Sequence, residues 1–161
     1  DGIEKIIKEK SLIKAYKDGK DKEARWNMMM ASTEGAMAFS KGLGAVHSMS
    51  HATGANQELR LHHGTLNAVI LPAVLEFNQN HVGNKYSRIA HAMGKNDSIN
   101  LANEIRKLNE NIGIPSGLAE MGVTEDMIPE LVTHSITDPS NLTTPRLPSK
   151  EEWEKLFLES M

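Results

Sequence analysis

Residues 64–78, Gly-Thr-Leu-Asn-Ala-Val-Ile-Leu-Pro-Ala-Val-Leu-Glu-Phe-Asn, decide the fold class. Leu66, Val69, Ile70, Ala73, Val74 and Phe77 recur at three- and four-residue intervals, so they line one face of a helix and predict that this face is buried. Pro72 lies inside the pattern, where it removes one backbone hydrogen bond and should bend the helix. The apolar run from Ala68 to Leu75 is the longest in the chain. It is too short to span a membrane, and no membrane partner is expected.

The same spacing extends in both directions. Ile3, Ile6, Ile7, Ile13 and Tyr16 share one face of a first helix, which Gly19 ends. A second helix covers residues 22–40. Its stretch 28–39 is almost entirely small or apolar, which predicts burial on several sides. Gly42 and Gly44 break the chain before a short third helix over residues 45–52, and residues 53–62 form a polar loop. Further helices are predicted over 82–93, 99–112, 129–137 and 149–160. Pro129 suits a first helical turn, and Ser149 with Glu152 has capping-box spacing. Residues 138–148 hold three prolines and form an extended connector. No strand alternation, repeat or low-complexity tract is present. The expected architecture is all-α, a multi-helix bundle of about seven or eight helices, with residues 1–161 as one helical domain.

Length and charge limit the function. A chain of 161 residues suits one domain with a substantial core. Eighteen Lys and Arg against 21 Asp and Glu leave a formal charge of −3, so no nucleic-acid partner is expected. The absence of cysteine excludes disulfides and thiolate metal sites, and with no leader pattern at the start it fits a cytoplasmic protein. Nine Met against few aromatic residues suggest an adaptable helical interior. The chain begins at Asp1 within a helical pattern, which suggests that a natural segment preceded it or that a tag was removed.

The chemistry concentrates in four of the seven histidines: His47, His51, His62 and His63. His47 and His51 are four residues apart and share a helix face, where two imidazoles can chelate one ion. Small residues surround them, including Gly44, Ala45, Ser48 and Ser50, and these allow close approach of a ligand or a helix. Ser48 stands where a zinc protease needs its Glu base, so that reading fails. His81, His91 and His134 stand alone and read as surface or capping residues. Asp18, Asp21 and Glu23 read as solvated charge. No P-loop, dinucleotide fingerprint or nucleophile elbow is present.

Residues 42–51, Gly-Leu-Gly-Ala-Val-His-Ser-Met-Ser-His, closely resemble the GLGxVHxMxH signature of iron-containing (group III) alcohol dehydrogenases. In order after it come residues 63–68, similar to HGxxNA; residues 86–90, similar to the end of KYxxIA; the Gly113-Ile114-Pro115 loop; and Thr144-Pro145-Arg146, where the family has Asn-Pro-Arg. The resemblance implies the family's helical C-terminal domain, of dehydroquinate synthase-like fold, as a fragment lacking the N-terminal nucleotide-binding α/β half. The family holds its metal with one Asp and three His. By motif His47 and His63 are two of these ligands, and His51 is the non-ligand histidine between metal and nicotinamide. The Asp and the first His belong to an earlier helix that the chain does not contain. His62 and His63 are adjacent candidates, and Gly64 favours His63.

The resemblance further implies Fe(II) or Zn(II) and NAD(P) in the full-length enzyme, a small alcohol or aldehyde substrate, and His51 as the catalytic group that relays the alcohol proton. The fragment alone is expected to be inactive and to hold little metal. The alternative is a standalone helical metal-binding or interaction module of the same fold. Loss of the partner half would bare apolar surface, which implies a homo-oligomer.

Overall fold

A computed structural model describes residues 2–8, 10–97 and 99–161. Every regular element among them is helical. The eight α-helices are α1 (Ser11–Lys17), α2 (Lys22–Ala38), α3 (Ala45–Gly54), α4 (His63–Asn78), α5 (Lys85–Ala92), α6 (Leu101–Asn111), α7 (Ile128–Thr137) and α8 (Lys150–Glu159). A π-helical segment, Glu4–Lys8, precedes them, and short 3-10 turns join several. The all-α expectation and its helix count therefore hold. No helix is long and apolar enough to cross a membrane among the described residues.

The helices group into two compact units. One comprises residues 1–41 and 82–100, in which α1 packs on α2. Its first helix departs from expectation. Lys10 takes a left-handed conformation (φ 60°), so the stripe expected from Ile3 to Tyr16 is split into the π segment and α1. Between Ile7 and Ile13 no apolar residue occurs at helical spacing to hold that turn on a core face. Glu9 lies outside the described residues. Ser11 restarts the helix, fully buried, with its hydroxyl accepting a hydrogen bond from Asn27 Nδ2 on α2 at 3.1 Å.

α2 also departs from its expected burial. Its contact face carries the small side chains Ala24 and Ala31, the only buried ones on the helix. Trp26, Met29, Met30 and Met37 point outward, 37–73% exposed. An apolar composition therefore did not imply burial: the small residues pack, and the large ones form an open stripe. Asp21, expected to be solvated charge, caps this helix by accepting the Ala24 N–H at 3.0 Å.

The second unit, residues 42–81 and 101–161, holds the main core. α3 packs against α4 and α7, α4 against α6 and α8, and α7 against α8. Met49, Leu66, Ile70, Leu118, Val132, Trp153 and Phe157 are fully buried there. Of the predicted α4 face, Leu66, Val69, Ile70, Ala73 and Val74 are buried, and Phe77 is partly so. The capping box of Ser149 and Glu152 forms as its spacing required. Gly42 (φ 94°) lies so close to Thr143 that a Cβ would overlap its side chain.

α4 runs unbroken through Pro72. The missing Pro72 N–H leaves the Ala68 carbonyl without its usual donor, and Asn109 Nδ2 on α6 supplies one at 2.7 Å. Asn109→Ala should therefore destabilise this unit by roughly 1–2 kcal/mol, the cost of an unmet acceptor in a part-buried place. In a Pro72→Ala background the restored backbone N–H takes that carbonyl, so the Asn109→Ala cost should shrink toward zero. Urea unfolding of the four proteins of this cycle measures the coupling, and equal costs in both backgrounds would refute it.

Candidate metal centre

The second unit carries every histidine of the sequence-predicted cluster. Gly44, with φ 143°, lets the chain turn directly into α3, and the helix then projects His47 and His51 from one side one turn apart. Ser48, Met49 and Ala52 face the core from the same helix. α4 begins at His63 and adds a third imidazole. The ring centroids lie 5.3 Å apart for His47–His63, 5.3 Å for His51–His63 and 5.7 Å for His47–His51.

His62 and His63 separate in space. His62 is the N-cap of α4, with its Nδ1 accepting the Thr65 N–H at 3.3 Å. His63 turns into the cluster. Its Nδ1 is 3.4 Å from Ser50 Oγ, and that hydroxyl donates to the His47 carbonyl at 3.1 Å. With its proton so committed, Ser50 Oγ can only accept, so His63 carries its proton on Nδ1 and presents a lone pair at Nε2.

Asn67, four residues after His63 on the same face, completes the geometry. Its Nδ2 is 3.1 Å from His63 Nε2 and 3.5 Å from His47 Nε2, so both ring nitrogens converge on one point. Asn67 Oδ1, the other end of the same amide, is buried with no partner. Two imidazole nitrogens are borderline donors that suit Fe(II) or Zn(II). Two such nitrogens could supply only part of a coordination shell. Among the described residues no group of three or more His, Cys, Asp or Glu is arranged to hold an ion.

A carboxylate closes the other side. His51 Nδ1 is 2.9 Å from Asp138 Oδ2, at the end of α7. Burial pushes the Asp138 carboxyl up, but the Ser140 hydroxyl and N–H and the His51 ring outweigh it and hold the group below its usual range. Burial is also the largest influence on His47, and the neighbouring His63 and His51 add to it. All three lower its affinity for a proton. Of the other histidines, His91 pairs with Asp97 at 3.0 Å, largely exposed, His134 lies 4.0 Å from Glu130, and His81 is exposed.

Sequence reasoning passed over three residues here. Asn67 carried the signal, because it lies four residues from His63 on the same helix. Ser50 was read only as a small residue. Asp138 is 87 residues from His51, and no spacing in the sequence links them.

A family model described as the Fe-containing alcohol dehydrogenase family, C-terminal, matches residues 2–161. The chain is 41% identical over 155 residues to 4-hydroxybutyrate dehydrogenase of Cupriavidus necator, covering 92% of this chain and 41% of that protein. It is 37% identical to NAD-dependent methanol dehydrogenase of Bacillus methanolicus, covering 98% and 43% respectively. A solved 1,3-propanediol oxidoreductase superposes with a TM-score of 0.91 at 31% identity over 99% of this chain and 43% of its own. The chain thus spans about two fifths of the length of the relatives it matches.

The lowered His47 proton affinity gives a testable sign. A histidine held below its unfolded value is neutral in the fold, while the unfolded chain takes up a proton first as the pH falls. Stability is therefore fullest above the ordinary imidazole value and declines as pH drops from about 6.5 through the folded value. Thermal melts in chelator-treated buffer across this window should show that decline, and His47→Gln should flatten it. An unchanged slope in the variant would assign the decline to other groups.

Proposed function

This chain belongs to the Fe-containing alcohol dehydrogenase family, matching its C-terminal part, and on that premise we propose that it is the metal-holding helical half of an NAD(P)-dependent alcohol dehydrogenase. The reaction is the interconversion of a small alcohol and its aldehyde by hydride exchange with the nicotinamide. The observation that carries this reading is the convergence of His47 Nε2 and His63 Nε2 on Asn67, with His51 stacked against His63. The remaining donors, an Asp and a His by the family resemblance, and the nucleotide-binding α/β half would lie elsewhere in a larger protein; the coverage of about two fifths of its relatives supports this reading.

Each residue of the cluster has a distinct task. His47 and His63 would hold the cation through their Nε2 atoms, and Ser50 fixes the His63 tautomer. The cation supplies Lewis acidity that lowers the pKa of the alcohol oxygen. His51, which is partly exposed and bound to Asp138, would not be a ligand and would take the alcohol proton outward. The outward stripe of α2, with Trp26, Met29, Met30 and Met37, is a surface suited to cover by another chain or by the rest of the larger protein.

Zinc titration of the chain by calorimetry tests the ligand assignment. Two imidazole donors alone should give weak binding. His63→Ala or His47→Ala should weaken it by about tenfold or more. His62→Ala should leave metal binding intact while costing under about 1 kcal/mol through the lost cap. Loss of binding in His62→Ala with retention in His63→Ala would overturn the assignment.

The α2 stripe makes a second expectation. Light scattering at micromolar concentration should show a species larger than the 17.8 kDa chain. Trp26→Lys with Met37→Lys should shift it toward that mass. A wild-type monomer would refute self-association through this stripe.

A further inference from the structure

We propose that Asp138 is a positioning residue that fixes the tautomer and orientation of His51, and so makes Nε2 the one basic nitrogen of that ring. The inference deepens the reading of His51 as a proton acceptor and rests on it for its catalytic meaning. The geometry itself needs no metal or nicotinamide.

The Asp138 carboxylate is oriented at both oxygens. Oδ1 accepts the Ser140 N–H at 2.8 Å, which ties the carboxylate to its own backbone turn, and Oδ2 is left for His51 Nδ1 at 2.9 Å. A carboxylate can only accept, so the shared proton lies on His51 Nδ1. The nitrogen left with a lone pair is then Nε2. The Asp138 side chain is 17% exposed and that of His51 is 42% exposed. The contact is therefore sheltered on one side and open on the other, as a group passing protons to solvent requires.

The backbone that carries Asp138 is pegged to α3 independently of this contact. Asn141, three residues on, accepts the buried Ser48 hydroxyl at 2.6 Å. Its Nδ2 donates to the carbonyls of Ser135 and Ile136 in the last turn of α7. Gly42 leaves room for Thr143. The pairs 42 with 143, 48 with 141 and 51 with 138 run antiparallel, so the connector is laid along α3 in one register. Asp138 is held in place by buried contacts rather than by its attraction to His51. A surface ion pair of two mobile side chains lacks that support and is worth little.

The test reads the tautomer directly. Histidine-labelled chain, with 15N in both ring positions, is examined by multiple-bond proton–nitrogen correlation at about pH 9, above the ordinary imidazole range, with chelator present. Wild-type His51 should show a pyrrole-like Nδ1 and a pyridine-like Nε2, the reverse of the form that free neutral imidazole favours. Asp138→Ala should exchange the two signatures. Asp138→Asn should keep the wild-type pattern, because its amide oxygen can accept the same bond. The His47 and His63 signals report whether each variant is folded.

A wild-type His51 protonated on Nε2 overturns the proposal without any variant, as does an unchanged pattern in a folded Asp138→Ala protein. Failure of the zinc titration would remove the metal reading while leaving this result standing. The two failures are therefore distinguishable.

Discussion

The second unit depends on how closely α3 can be approached from two sides. This ten-residue helix packs against α4 and against α7 while also carrying His47 and His51. Ala45, Ser48 and Ala52 keep its contact faces thin. Ser48 brings a cost, because a hydroxyl taken out of water must be paired. Asn141 meets that need at 2.6 Å and in turn binds the last carbonyls of α7. One buried polar chain thus joins the helix with the histidines to the end of the helix that delivers Asp138. Its loss would loosen both together.

Electrostatics impose a second order on the same helix. Three imidazoles within 5.3–5.7 Å cannot all carry protons without mutual repulsion, and burial further disfavours charge on His47. His47 is therefore biased to the neutral form, in which one ring nitrogen offers a lone pair. A metal ion competes with protons for such nitrogens, so a group that already resists protonation is prepared for a cation. Asp138 is hydrogen-bonded to His51, while His47 and His63 converge on Asn67. The cluster is thereby divided into a converging pair and a ring tied to a carboxylate.

What the sequence made legible follows the range of the interactions involved. α4, α7 and α8 were readable because their periodicity, Pro129 and the Ser149–Glu152 box act within a few residues. His47 with His51 was readable for the same reason. The break at Lys10 and the outward face of α2 were not, because apolar composition does not say which side of a helix finds a partner. His62 and His63 differ by one residue, a rotation of about 100° on a helix. Only the position of the N-cap decides which of them turns inward. Asp138 was invisible because its partner lies 87 residues away, and nothing local marks a carboxylate that ends one helix as the neighbour of a ring on another.

The antiparallel seating of residues 138–144 along α3 bears on how this segment can vary in length. Connecting segments usually tolerate insertion and deletion, since their backbone touches little. This one is measured at two points on α3, through Asp138 and Asn141, and at Gly42 just before it, through Thr143. One added or deleted residue between Asp138 and Asn141 would leave either the Ser48 hydroxyl or the His51 ring without its partner. A change of length there costs a buried or site contact where a substitution need not, so a segment with the composition of a loop carries the length constraint of a strand in a sheet.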